Sequence, residues 1–124
     1  MEKFMLIIRE DLKKLAAMTE EERTAGIPPM LKWVEGIAEG GNYLWGEPLD
    51  IEGRYVRKDQ VLTDGPFIEA KEGVSGVVIL TAENLEQASS IAQMCPLVLD
   101  GSGVVEVRPL MNVPPEMQVK GKGG

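Results

Sequence analysis

The chain predicts an α+β fold: an antiparallel sheet with two helices packed on one face. Three observations predict it. Three stretches have strand length and strand composition, residues 4–9 (FMLIIR), residues 73–82 (ending VVILTA) and residues 104–111 (VVEVRPLM). Two stretches between them carry apolar side chains at helical spacing behind good N-caps. The order of the long elements, strand, helix, strand, strand, helix, strand, is that of a split βαβ unit.

The first strand is an almost continuous apolar run. Such a run suits a strand buried on both faces, which places it centrally in the sheet. In residues 10–18, Leu12, Leu15 and Ala16 have helical spacing, enough for a short helix or a turn. Thr19 and Glu22 then have capping-box spacing, and Glu20, Glu21 and Glu22 put negative charge where a helix N-terminus favours it. Pro28-Pro29 predicts a break, or a second helix with proline in its first turn. From Met30 an apolar stripe follows through Trp33 or Val34, Ile37 and Leu44. Gly40-Gly41-Asn42 accept the left-handed geometry that ends a helix.

Residues 43–45 read as a strand end, broken by Gly46-Glu47-Pro48. Residues 53–57 and 60–63 read as short strands joined at Lys58-Asp59. In residues 73–82, Gly76 suggests a bulge or a close backbone approach. Asn84 is a good N-cap with Gln87 at the third helical position. Leu85, Ala88, Ile91, Ala92 and Cys95 form one helical face, and Pro96 ends it. In the last strand Val105 and Val107 alternate with Glu106 and Arg108, and Pro109 places its end at a sheet edge. Residues 114–124, PPEMQVKGKGG, lack periodicity and read as a flexible tail, leaving residues 1–113 as a single domain.

Composition narrows the function. The net charge of −7 and the absence of a basic cluster argue against a nucleic-acid groove and an anionic membrane surface. No run approaches the ~20 apolar residues of a membrane span. The single cysteine, Cys95, permits no intrachain disulfide, and with no secretory leader visible the expectation is a soluble cytoplasmic protein. There is no histidine. That removes imidazole general-base chemistry, Ser-His and Cys-His nucleophiles and imidazole metal ligation. No metal motif and no cofactor motif is present.

The stretch with the most chemistry is residues 61–72, VLTDGPFIEAKE. Asp64-Gly65-Pro66 is turn chemistry, and Asp64, Glu69, Lys71 and Glu72 fall within nine positions. These charges either wall a pocket or are simply solvated. DGPFIEAKE, the strand after it, and Glu106-Val107-Arg108-Pro109 resemble the YCII-related family in its DGPF branch, over roughly residues 4–111. The resemblance implies a dimeric α+β barrel of the ferredoxin-like kind, with biochemistry largely unassigned. A histidine–acid pair proposed as catalytic in another branch has no counterpart here.

Candidate site residues follow. Asp64 and Arg108 form a fixed anion and cation near strand ends, or a turn cap and a surface ion pair. Glu69, Lys71 and Glu72 suit anion binding, or a solvated loop. Trp45 and Glu47, with Tyr43, line a small-molecule cleft, or serve core or dimer packing. Cys95, on an apolar face, reads as a small hydrophobe. A homodimer is expected, because the sheet face without helices needs cover. The leading expectation is a protein binding a small polar or aromatic metabolite near the DGPF turn. The alternatives are an acid–base lyase or oxygenase-like enzyme on phenolic substrates using Asp64 and Arg108, as the resemblance to wider relatives implies, and an interaction partner in transcription regulation.

Overall fold

The computed structural model describes residues 1–62 and 73–121. The elements run β1 Glu2–Glu10, α1 Leu12–Ala17, α2 Glu20–Ala25, α3 Ile27–Glu39, β2 Tyr43–Pro48, β3 Tyr55–Val56, β4 Val61–Leu62, β5 Gly73–Ala82, α4 Leu85–Gln93, α5 Pro96–Leu99 and β6 Gly103–Pro109, with a 3₁₀ turn at Pro115–Met117. The main sheet has the order β2-β5-β1-β6 and is antiparallel throughout. This is the ferredoxin-like arrangement expected from the element order, with β1 in the interior. β3 and β4 form a separate two-stranded hairpin, closed by the Arg57 amide donating to the Gln60 carbonyl.

Local chemistry sets the helix boundaries. The Thr19 hydroxyl accepts from the Glu22 amide and the Glu22 carboxylate accepts from the Thr19 amide, each at 3.1 Å, so the capping box at α2 is complete. The two prolines open α3 within its first turn, where their missing N–H groups cost nothing. α3 stops at Gly40, and Gly41 turns the chain at φ +78°, a conformation without the Cβ penalty only for glycine. The Asn84 side chain caps α4 by accepting from the Gln87 amide at 2.9 Å.

The core lies between one sheet face and α3 and α4. Phe4, Leu6 and Ile8 of β1 and Val78, Leu80 and Ala82 of β5 pack against Trp33, Ile37, Ala88, Ala92 and Cys95. Trp33 is also tied to α4, donating from its indole N–H to the Ile91 carbonyl at 3.0 Å. Cys95 is fully buried, with its sulfur 4.0 Å from that of Met30, and burial pushes its thiol pKa up. It is a packing residue and not an activated nucleophile.

Three local expectations need correcting. Gly46-Glu47-Pro48 does not break β2, which continues through Pro48. β2 is an edge strand, where proline is tolerated. A Cβ on Gly46 would sit 3.1 Å from the Tyr43 hydroxyl and 3.1 Å from the Val77 carbonyl, so glycine there admits the tyrosine ring. Leu44 does not belong to the α3 stripe: it lies at the register shift of β2, about half exposed. Leu85, at the solvent end of α4, is also exposed. At Gly76 the expectation of an irregularity is met. Ile8 pairs with Gly76 but Arg9 with Val74, which bulges β5 at Ser75.

Candidate functional site

Strand alternation sends every second residue of the sheet to the face opposite the helices. Register identifies which. Trp45 lies opposite Ile79, and Ile79 opposite Met5, which lies opposite Arg108. One row along, Glu47 lies opposite Val77, Val77 opposite Ile7, and Ile7 opposite Glu106. The middle of this open face is therefore apolar: Met5, Ile7, Val77 and Ile79, all half-buried and none of them packed against the core cluster.

The two edges of the face carry polar chemistry. On β2, Trp45 is about half exposed and Glu47 is exposed. On β6 and β1 a charged triad forms. Arg9 donates from Nε and Nη2 to one oxygen of Glu106 at 3.2 and 3.1 Å, and Arg108 donates from Nη1 to the other at 3.3 Å. Glu106 is held below the usual carboxylate range by the hydrogen bond from Arg9 first and that from Arg108 second. Three strand spacings, about 14 Å, separate the two edges.

The sequence-predicted residues are thus distributed as follows. Trp45, Glu47 and Arg108 share the open face, at opposite edges. Tyr43 turns the other way and packs on the core. Asp64, Glu69, Lys71 and Glu72, and with them the DGPF turn, lie outside the described residues. Arg108 does have a carboxylate partner, Glu106. Sequence reasoning missed Arg9, which sits 97 positions from Glu106. The signal was present in part: Glu106 and Arg108 share a parity in β6, and Arg9 closes the apolar run of residues 4–8 on β1.

A shallow open groove along α2, lined by Thr19, Glu20, Glu21, Thr24 and Ala25, lacks a grouping of chemistry. Among the described residues no set of three or more Cys, Asp or Glu side chains is placed to hold a metal ion, and no helix is long and apolar enough to cross a membrane.

The family model of the YCII-related domain matches residues 3–114, nearly the whole chain. The chain belongs to the YCII-related family. A search of curated proteins finds no match. The YCII-related domain accordingly begins within β1 and ends beyond β6, so the open face with its two polar edges is part of the domain itself.

Proposed function

We propose that this YCII-related protein, read as one of the DGPF branch, is a homodimer joined through the open sheet face and binds a small polar or aromatic metabolite beside that join. The apolar middle of the face carries this reading. Met5, Ile7, Val77 and Ile79 form a contiguous half-buried strip that no helix among the described residues covers, and an apolar strip left without cover on a sheet is a site of association. In projection a four-strand face of this length measures about 450 Å², and its side-chain relief brings it toward the roughly 800 Å² per partner of a standard interface. Trp45 and Glu47 on one side, and Arg9, Glu106 and Arg108 on the other, supply the aromatic and charged groups that orient a small ligand.

Acid–base catalysis on a phenolic substrate, with Asp64 as base, draws no support from the described carboxylates, and Asp64 itself lies outside the described residues. Among the described residues, the carboxylates whose pKa moves are Glu22, Asp100 and Glu106, and all three move down. A general base working at neutral pH needs the opposite shift. The reading is tested by light scattering at micromolar concentration together with a thermal-shift screen of phenols and small carboxylates. A dimer stabilised by one chemical class is expected. A particle of 13.6 kDa would overturn the dimer, and a flat screen would overturn the metabolite.

A further inference from the structure

The charged triad has an uneven balance. Two guanidinium groups, Arg9 and Arg108, share one carboxylate, Glu106. Among the described residues no other anion approaches either arginine. Among the described residues one positive charge is left over in this triad, on the face of a protein whose net charge is −7. In open water such an excess costs nothing. On a face that closes it is expensive, because an uncompensated charge removed from water costs several kcal/mol. A closing face therefore needs one more anion at this edge than the described residues supply.

The geometry also says what kind of anion. Arg108 uses only Nη1 on Glu106 among the described contacts, and its side chain is 67% exposed, so most of its planar donor fork faces outward. That fork matches a carboxylate through two parallel N–H···O bonds. Glu106, its carboxyl held low by both arginines, accepts from both guanidinium groups. Directly opposite Arg108 across the strand pair lies Met5, and directly opposite Glu106 lies Ile7. An acid bound to the fork has an apolar floor within reach of its body. Sheet twist makes two facing sheets diverge toward their edges, which leaves room at β6 for a molecule a few ångströms thick.

We propose that Arg9 and Arg108, fixed by Glu106, are the anion-binding end of a ligand site that takes a small aromatic or branched aliphatic monocarboxylate, its apolar body resting on Met5 and Ile7. The inference rests on the reading that this face is covered by a second copy, and it deepens that reading by assigning a ligand class and naming Arg9 and Glu106 as parts of the site.

The test uses the full chain with benzoate as probe and benzamide as its neutral counterpart, read by calorimetry or by chemical-shift perturbation. Light scattering on the same samples reports the dimer separately. Benzoate is expected to bind at millimolar or lower concentration and benzamide more weakly. Arg108→Ala is expected to weaken benzoate tenfold or more, with Arg108→Lys in between, since lysine keeps the charge and loses the fork. Arg9→Ala is expected to act in the same direction. A dimer that ignores benzoate, or one that binds it equally after Arg108→Ala, overturns the site and leaves the dimer standing. A dimer that ignores benzoate and dissociates on Glu47→Gln assigns the missing anion to the second copy, which also overturns it. Monomers that bind benzoate through Arg108 support the site and overturn the covered face instead.

Discussion

The two faces of the sheet are built from the same strands, residue by residue in alternation, and they differ in almost everything else. On the helix side Phe4, Leu6, Leu80 and Ala82 are at most 1% exposed, and the charged groups stay away. On the other side Met5, Ile7, Val77 and Ile79 are only half-buried, and Trp45, Glu47, Arg9, Glu106 and Arg108 ring them. The amino acids at the centre of both faces are equally apolar. What differs is the cover: one face has α3 and α4, the other has none among the described residues. On the proposed dimer reading the apolar strip of the open face is completed by a second copy, whereas that of the helix face accounts for stability in the single chain.

This contrast can be broken most forcefully at Leu80. Leu80→Ala removes fully buried methyl groups and is expected to cost 2–5 kcal/mol, about the usual range for a large-to-small change in a core. Chemical denaturation checks it. Ile79→Ala, one residue along, should act through the dimer, so its loss should depend on protein concentration while that of Leu80→Ala does not, and a concentration-independent loss of equal size at both positions would erase the distinction between the faces.

Gly46→Ala comes next. The added methyl meets the Val77 carbonyl at 3.1 Å, and backbone yields little, so a loss of roughly 1–3 kcal/mol is expected. Asn84→Ala should cost about 1 kcal/mol by uncapping α4. Because Asn84 lies on the helix side, its variant should sediment and scatter like the parent. By contrast Ile79→Asp, placed in the strip itself, should leave a folded chain that scatters as 13.6 kDa.

The smallest expected effect concerns acid. Glu106 has its pKa lowered in the folded chain by Arg9 and Arg108. A carboxylate lowered on folding contributes stability that is fully present above its unfolded pKa and is lost as pH falls through the folded value. Stability should therefore decline below the ordinary glutamate value of 4.5. Glu22 and Asp100 move in the same direction and add to the decline. In Glu106→Gln the unfolding midpoint should fall less between about pH 6 and about pH 3.5 than in the parent. An identical acid dependence would mean that the triad contributes nothing to the subunit.

Sequence alone determined the features that depend on neighbours along the chain. The capping box at Thr19, the cap at Asn84, the prolines opening α3, the glycines closing it and the parity of Val105 and Val107 against Glu106 and Arg108 all arise within a few residues, where the backbone and one side chain settle the matter. The element order then left few ways to assemble a sheet, and the ferredoxin-like arrangement followed. Tertiary structure alone decided what depends on register between distant strands. Glu47 and Pro48 read locally as a break, and they continue β2 because an edge strand exposes the side that proline cannot bond. Arg9 reads as the end of an apolar run, and it meets Glu106 because β1 pairs with β6 at one register out of many. That choice is made by burying Val107 and Val105 beside Leu6 and Ile8, and a slip of β6 by one residue would have turned Val105 and Val107 outward, moved Glu106 and Arg108 to the helix side, and taken the charged triad apart.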